Sequence, residues 1–188
     1  MKKKILVSLF VLILLAAAGG SFCWWQNQQD VREINKTLPQ GIRVVKGLFN
    51  NEYKVVNDID GYEFKVPKAW EGIEKIEYMP KRSEMGYTAS SISFFGRVGG
   101  SRYVNIDRFE DENSDIDLKT WATNSFEVFG LVGNFTEDRV GNFPVVKTTE
   151  EKHLVGMYVF FFRENRGIFS ITNGSEESIR EIIESGKW

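Results

Sequence analysis

The fold follows from the stretch MYVFFFRENRGIFSIT at residues 157–172. Aromatic and β-branched residues lie on both sides of the turn-forming residues 164–167, which predicts a hairpin of strands at 154–163 and 167–173. Because successive side chains of a strand point to opposite faces, the phenylalanines at 160–162 supply rings to both faces of the sheet. We expect these rings in the core, with helices covering both faces. An open face would instead offer a docking surface for a partner or an apolar ligand.

Alternation of apolar and polar residues with period two predicts eight further strands. Turn residues separate the first of them at 50–51 and 60–61, and Pro67 ends the third. Phe94 and Phe95 again place rings on both faces of one strand, and we expect both in the core. The eight predicted strands span residues 43–47, 52–57, 62–66, 73–78, 88–97, 102–109, 135–140 and 143–150.

The clearest helix lies in the stretch ENSDIDLKTWATNSFEVFG at residues 112–130. Its apolar residues recur at helical spacing and form one stripe, which is typical of a helix that packs on a core. Ser114 or Asp115 is suited to cap its start, and Gly130 is suited to end it. The stripe consists of Leu118, Trp121, Ala122, Phe126 and Phe129.

Two shorter helices complete the predicted elements. One precedes the first strand and is ended by Pro39 and Gly41. The other follows the last strand, where Asn173 and Glu176 have the spacing of a capping box. Their apolar faces consist of Val31, Ile34 and Leu38 in the first helix, and of Ile179, Ile182 and Ile183 in the last.

This order of elements predicts an α+β domain, with a central antiparallel β-sheet flanked by helices. The chain has 188 residues, of which 42% are hydrophobic and 27% charged, so it fits one folded domain and not a disordered chain. We divide it into a targeting segment at 1–25, a stalk with the first short helix at 26–42, and the α+β domain at 43–188.

The N-terminus has the pattern of an export signal, since basic residues 2–4 precede the uncharged run 5–25. Small residues up to Ala18 suit cleavage as a signal peptide, which would give a secreted or periplasmic protein. As a helix the run is about 31 Å long, which matches a bilayer core of about 30 Å. Trp24 and Trp25 would then lie at the outer interface, and their position favours a single-pass anchor in the cell membrane. Both interpretations make the C-terminal domain extracytoplasmic.

The stretch GYEFKVPKAWEG at 61–72, in which Trp70 closely follows Pro67, resembles the opening of PsbP-like domains. This family is named for an extrinsic subunit of photosystem II, and bacteria carry its members as exported or anchored proteins. The order of later elements is similar over about 52–188, including a hairpin at 139–145 between the central helix and the last strands. The resemblance implies a PsbP-like α/β/α sandwich, and a family that mostly serves in binding or assembly without chemistry of its own. It implies a fold and not a particular partner.

The charge of the exported part excludes one class of partner. Residues 2–4 supply three of the 24 basic residues, against 26 acidic ones, so the rest of the chain carries a net charge of about −5. Because nucleic-acid binding rests largely on neutralising phosphates, we expect no nucleic-acid partner. We expect residues 5–25 to contact the membrane, and we expect a further partner that is a protein.

No set of residues predicts catalysis. His153, the only histidine, lies in a strand-like stretch, where a surface position explains it without a catalytic role. Cys23, the only cysteine, lies in the apolar run, and Phe22 before it does not suit lipoprotein cleavage. A Ser–Lys pair is left open, because both residue types are common. We assign no catalytic residues and no cofactor.

Two acidic stretches are candidates for calcium, which prefers oxygen ligands. Residues 57–61 (NDIDG) contain part of a calcium-loop pattern without its closing Glu, and a turn between strands explains them more simply. Residues 107–117 are densely acidic, which also fits a solvated loop before a helix; whether they bind calcium is left open. The glycine-rich residues 96–100 lack the Lys-Ser/Thr ending of a phosphate loop and are expected in a hairpin loop. We assign no metal ligands.

These observations together predict a membrane-tethered, extracytoplasmic binding or assembly module without enzymatic activity. One alternative is a cell-envelope hydrolase that uses carboxylates or a Ser/Lys pair, which requires those groups to meet in one pocket. Another alternative is a structural or adhesive envelope subunit, which requires self-association.

Overall fold

The structure is a computed structural model of the chain. It describes residues 19–22, 24–47, 52–84, 87–96, 103–110, 115–128, 134–148, 158–165 and 167–188. The helices and strands of the domain are, in chain order, α1 (Gln29–Thr37), β1 (Ile42–Lys46), β2 (Tyr53–Asn57), β3 (Tyr62–Lys65), a 3-10 turn (Lys68–Trp70), β4 (Ile73–Glu84), β5 (Tyr87–Gly96), β6 (Tyr103–Glu110), α2 (Leu118–Val128), β7 (Phe135–Val140), β8 (Phe143–Thr148), β9 (Val159–Glu164), β10 (Gly167–Thr172) and α3 (Glu176–Ser185).

The strands form two antiparallel sheets. β1, β2 and β3 make a small sheet, and the other seven make a larger one in the order β4-β5-β6-β10-β9-β8-β7. The hairpin predicted from residues 157–172 is confirmed: Glu164 pairs with Gly167, and Asn165 has a positive φ of 47° in the turn between them. Each predicted strand segment contains a strand, so the α+β class with a central antiparallel sheet is confirmed. The separation of β1–β3 into a second sheet was not predicted.

Strand β4 is longer than predicted. We expected residues 73–78, but the strand runs to Glu84 and passes Pro80, which has no N–H to donate. Its pairing with β5 shifts register between Met79 and Arg82, so Pro80 lies at an irregularity of an edge strand, where proline is tolerated. The strand therefore continues past a residue that usually ends one.

The N-terminal cap of α2 differs from the prediction. We expected Ser114 or Asp115, but the helix begins at Leu118 and Asp117 caps it. The Asp117 carboxylate accepts a hydrogen bond from the Thr120 N–H at 2.9 Å, which satisfies a free donor of the first turn. Asp115 lies in the turn before this cap, and Ser114 lies outside the described residues.

The cap of α3 also differs from the prediction. The hydroxyl of Ser175, and not the side chain of Asn173, accepts a hydrogen bond from the Ser178 N–H at 3.2 Å. Asn173 has a φ of 68°, so it belongs to the turn that leaves β10 and not to the helix start. The predicted apolar face of the helix is confirmed by the burial of Ile179, Ile182 and Ile183.

The first face of the larger sheet packs against the small sheet, α1 and α3. Phe94, Phe160 and Phe162 lie in this main core, where all three are fully buried. Trp188 packs into the same core, with its ring centroid 5.0 Å from that of Phe162. The small sheet contributes Phe64, whose ring stacks on Trp188 at 5.8 Å. The two sheets therefore pack against each other through a shared aromatic core.

The second face of the larger sheet is covered by α2 over β7, β8 and β9. Trp121 and Phe126 of the helix pack edge-to-face on Phe161, with centroids 5.8 and 5.9 Å apart. The prediction that the phenylalanines at 160–162 serve both faces of the sheet is therefore confirmed. Phe95 departs from the prediction, because it lies on this second face and is only half-buried.

Most of the predicted targeting segment at 1–25 lies outside the described residues. Residues 19–22 and 24–27 are helical. No helix in the described part of the chain combines the length and the apolar character needed to cross a bilayer.

Four charged residues fasten α3 to the hairpin of β7 and β8. The Lys147 ammonium lies 2.9 Å from the Asp138 carboxylate and 2.8 Å from that of Glu176. Arg180 pairs with the same two carboxylates, at 2.9 Å from Glu176. The hydrogen bond from Lys147, supported by the Arg139 N–H and by Arg180, lowers the pKa of Asp138 to about 2.

We expect acid to weaken this group of charges. Because the folded-state pKa of Asp138 lies below its ordinary value of 3.8, its stabilising effect is complete above that value and is lost as the pH falls toward about 2. The side chain is 30% exposed, so the effect should be about 0.2–1 kcal/mol. Asp138→Asn should lower the free energy of unfolding at pH 7 by this amount and reduce its dependence on pH in the acid range. Urea unfolding at a series of pH values measures both, and an unchanged pH dependence would contradict the assignment.

Candidate binding surface on the second face of the sheet

The end of the second face formed by β4, β5 and β6 is polar. It carries the side chains of Ser91, Ser93, Tyr103, Asn105 and Asp107, which we call the polar strip. The neighbours between these residues along β5 and β6 are apolar and lie in the main core. Because side chains alternate along a strand, the polar strip must lie on the opposite face, the one on which α2 packs farther along the sheet.

The antiparallel register joins the polar strip into one network. Ser91 lies opposite Asp107, and Ser93 lies opposite Asn105. The Asn105 Oδ1 accepts hydrogen bonds from Ser91 Oγ at 2.9 Å and from Ser93 Oγ at 2.7 Å. The Asn105 Nδ2 donates to the Asp107 carboxylate at 2.7 Å, and the Tyr103 hydroxyl lies 3.2 Å from Ser93 Oγ. Such a network holds its members in fixed orientations.

Asp107 is the acidic member of the polar strip. Burial raises the pKa of its carboxyl above the ordinary value, while hydrogen bonds from Ser91 and Asn105 and the positive charge of Arg82 oppose the rise. The carboxylate accepts hydrogen bonds only, and on protonation it gains a donor. Ser91 and Ser93 are themselves buried, at 8% and 5% exposed, so the groups that the strip presents to a ligand are the hydroxyl, amide and carboxyl groups of the partly exposed Tyr103, Asn105 and Asp107.

Larger side chains border the polar strip. At one end Phe95 lies opposite Tyr103, with ring centroids 4.8 Å apart. On β4, the register places Met79 beside Ser91, and Met79 is 42% exposed. The strip therefore has small polar side chains in its middle and larger side chains at its edges.

The polar strip was not predicted from the sequence. Asp107 was predicted both in a strand at 102–109 and in an acidic stretch at 107–117, and the position in a strand is confirmed because Asp107 lies inside β6. One signal was present, since residues 91–94 (SISF) and 104–107 (VNID) both alternate polar with apolar side chains. What the sequence does not show is that β5 and β6 pair in the register that brings these alternating residues together.

The described acidic residues of the stretch at 107–117 have separate structural roles. Asp107 belongs to the polar strip, Glu110 pairs with Lys81, and Asp117 caps α2. Residues 111–114 lie outside the described residues. Among the residues that are described, no group of three His, Cys, Asp or Glu side chains is placed to hold a metal ion.

Residues 57–61 form a turn, as the simpler interpretation predicted. The buried Asn57 accepts hydrogen bonds from the N–H groups of Ile59 and Asp60, each at 3.1 Å, and donates to the Asp60 carboxylate at 2.8 Å. Asp58 pairs with Arg43 of β1. The two carboxylates of this turn therefore serve local structure.

The other candidates concern residues that the structure does not describe. Cys23, His153 and residues 97–100 lie outside the described ranges. Gly96 ends β5, which pairs with β6, and the hairpin loop expected at the glycine-rich residues 97–100 stays a prediction.

The fold and the site define an α+β domain with a candidate binding surface on its larger sheet. A scan against protein-family models finds no matching family, and searches of curated proteins and of solved structures find no match. The resemblance to PsbP-like domains therefore stays a prediction.

We expect Asp107→Asn to stabilise the fold at neutral pH. Because burial raises the folded-state pKa of Asp107, keeping the carboxyl ionised costs folding free energy above that pKa, and the cost disappears at pH values where both states are protonated. Asparagine has the same shape and can still accept from Asn105. The gain should lie in the usual range of stabilising substitutions, about 0.5–2 kcal/mol. Thermal unfolding at pH 7 and well below pH 3.8 measures it, and a variant that is less stable at pH 7 would contradict it.

Proposed function

We propose that this chain is a membrane-tethered, extracytoplasmic binding domain without enzymatic activity, and that the polar strip is its binding surface. The uncharged run at 5–25 behind basic residues 2–4 supplies the tether and its direction. The observation that carries the proposal is a network of Ser, Asn and Asp side chains on the same face of the sheet that is packed with aromatic residues under α2. Removing polar groups from water gives folding little advantage over apolar packing, so a ligand is the better explanation of the network.

Binding explains the polar strip better than hydrolysis does. A carboxylate-based glycoside hydrolase, for example, needs a second acid about 5–9.5 Å from the first. Glu77 faces the same side as Asp107 and pairs with Lys75. It lies on β4, two strand spacings across and two residues along from Asp107, which is about 12 Å away. The hydroxyls of Ser91 and Ser93 donate to Asn105, so neither is paired with a lysine base.

The expected partner is a protein segment that presents hydroxyl and amide groups. A mildly acidic domain whose binding surface carries the Asp107 carboxyl has no particular attraction for nucleic acid. Phe95 and Tyr103 at the end of the strip offer an aromatic anchor of the kind that contributes strongly to protein interfaces.

A PsbP-like α/β/α arrangement belongs to the same proposal. The positions of α3 on the first face and α2 on the second support helices on both sides of a central sheet. The small sheet packs beside α3 on the first face of the larger sheet. It is therefore an addition to a simple sandwich of helix, sheet and helix.

Cysteine labelling tests the location of the domain. In a Cys23→Ser background, Ile59→Cys places one thiol in an exposed turn, because Ile59 is 47% exposed. We expect a membrane-impermeant maleimide to label this thiol in spheroplasts. Labelling only after the membrane has been permeabilised would place the domain in the cytoplasm and overturn the proposal.

Photocrosslinking tests the binding surface. A diazirine amino acid at position 79, beside the polar strip, should give one specific adduct in cells. The same group at position 59 serves as the control, since it lies on an exposed turn of the small sheet, which packs on the opposite face of the larger sheet. We expect Asn105→Ala and Asp107→Asn each to abolish the adduct at position 79. The absence of an adduct there, or the same adduct at both positions, would contradict the assignment of the surface.

A further inference from the structure

Hydrogen bonds from elsewhere in the chain reach the backbone of three of the four edge strands. These edge strands are β1, β3, β4 and β7, and an edge leaves backbone groups unpaired that can pair with another chain. In β1, the Asn35 amide donates to the carbonyl of Val44 at 2.9 Å and accepts from its N–H at 2.7 Å. In β3, the backbone of Glu63 exchanges two hydrogen bonds with that of Lys187, at 2.8 and 2.7 Å. Both edges are therefore occupied by the chain itself.

The two edges of the larger sheet differ from each other. In β7, the carbonyl of Arg139 accepts a hydrogen bond from Arg180 at 3.3 Å. Within the described ranges, the backbone of residues 75–79 in β4 has no hydrogen-bond partner outside β5, and its pairing with β5 is regular. The following half of β4 is blunted by Pro80, which lacks an N–H, and by a shift of register. Residues 75–79 are therefore the accessible part of this strand, and we call them the open edge.

A groove of about 530 Å³ runs along the open edge. Five consecutive residues of β4, 74–78, line one side of it. Because successive side chains of a strand point to opposite faces, the feature that all five share is the free backbone edge. The other wall is the end of α1 and the turn after it, where Leu38 and Pro39 offer apolar contact. The groove therefore suits an extended segment that pairs with β4 as an added strand.

The charges of the open edge are complementary to those of a second copy. Ile76 points into the main core, so Lys75 and Glu77 on either side of it lie on the second face of the sheet, where they form an ion pair. Two copies of β4 that pair about a twofold axis run antiparallel. A pairing centred on Ile76 places Lys75 of each copy opposite Glu77 of the other, and opposite charges in such cross-strand pairs are stabilising. A pairing centred on Lys75 or on Glu77 would instead place like charges opposite each other.

We propose that two copies of this chain pair through their open edges, antiparallel and centred on Ile76, and so join two seven-stranded sheets into one. Because both copies use the same surface, the contact closes as a dimer and does not continue into a filament. The twofold axis is perpendicular to the sheet, so both polar strips lie on one face. Three strand spacings, about 14 Å, separate β5 of one copy from β5 of the other. The dimer does not depend on the binding role of the polar strip.

Charge reversal tests the dimer, with sedimentation velocity of the full chain in detergent micelles as the measurement. Lys75→Glu and Glu77→Lys each place like charges opposite each other at two points of the contact, so each should weaken dimerisation about tenfold. An equimolar mixture of the two variants restores opposite charges at both points and should dimerise as the unmodified chain does. Within each variant, positions 75 and 77 still carry like charges. Recovery on mixing therefore reports the contact between copies and not the ion pair inside the strand.

A matched control lies on another surface. Lys119→Glu, at an exposed position of α2, reverses one charge and should leave dimerisation unchanged. The side chains of Lys75 and Glu77 are 61% and 52% exposed, so the variants should keep the fold, which circular dichroism checks. An unmodified chain that stays monomeric, a dimer that survives Lys75→Glu, or variants that fail to associate on mixing would each overturn the proposal. None of these results would bear on the polar strip.

Disulfide formation tests the register. In a Cys23→Ser background, a chain with Lys75→Cys is mixed with a chain with Glu77→Cys under mild oxidation. The pairing centred on Ile76 places the two thiols directly opposite each other, whereas identical positions are offset by two residues. The mixture should therefore form disulfide-linked dimers several-fold faster than either chain alone. Equal rates would overturn this register.

Discussion

Trp188→Ala is expected to lower the free energy of unfolding by about 3–5 kcal/mol, the range seen for large buried side chains. Trp188 is 5% exposed and its ring lies between the two sheets, 5.4 Å from the ring of Tyr62 and 5.1 Å from that of Phe169. Its indole N–H donates to the carbonyl of Ile183 at 3.1 Å, which ties the residue to the end of α3. Alanine would leave a cavity where the small sheet, the larger sheet and α3 meet. Urea unfolding followed by circular dichroism measures the loss.

A second substitution separates the contribution of the Trp188 ring to stability from that of its hydrogen bond. Trp188→Phe keeps an aromatic ring but loses the donor, and we expect a smaller loss than for alanine because Gly186 also donates to the carbonyl of Ile183. Val45→Ala, at an exposed position of β1, should change the unfolding free energy by less than about 0.5 kcal/mol. A loss for Trp188→Ala no larger than that control would show that the residue does not join the two sheets.

Trp121→Ala is expected to lower the free energy of unfolding by a similar amount, about 3–5 kcal/mol, through the other face of the sheet. Trp121 is 7% exposed and lies within 5.8 Å of the rings of Phe109, Tyr87 and Phe161. It is the largest side chain by which α2 covers this face. The larger sheet separates the core that contains Trp121 from the core that contains Trp188. The losses of unfolding free energy caused by the two substitutions should therefore add in the double variant.

The matched control for this substitution lies on the same helix. Val128 is 48% exposed, so Val128→Ala should change stability by less than about 0.5 kcal/mol. A small effect of Trp121→Ala, close to that of the control, would mean that α2 does not hold the second face. Trp121→Ala should also weaken crosslinking at position 79, since Phe109 and Tyr87 lie next to the polar strip in the β5–β6 register.

The periodicity of apolar residues predicted the strands and helices well, because each element is specified largely by neighbouring residues in the sequence. The alternation around Phe94 and the helical stripe around Trp121 each follow from which face of one strand or helix is buried. The cap of α2 was missed for a local reason, since several polar residues precede the helix and the hydrogen bond from Thr120 selects Asp117 among them. Another error came where a distant contact decided the outcome. Pro80 stays in β4 because β5 pairs on both sides of it.

The candidate site was beyond reach of the sequence for the same reason. Ser91 and Asp107 are 16 positions apart, and each is ordinary in its own strand. Only the pairing of β5 with β6 places them opposite each other. Asn35 was likewise an ordinary residue of a short predicted helix. Its two hydrogen bonds with the backbone of Val44 depend on the packing of α1 against β1.

The sequence alone determined that an uncharged segment precedes an aromatic-rich α+β domain, because length, charge and period are properties of contiguous residues. The tertiary structure decided that the strands divide into two sheets, that α1 docks on an edge strand, and that five polar side chains share one surface. These features depend on the register between strands and on packing across many residues, and a linear pattern does not specify either.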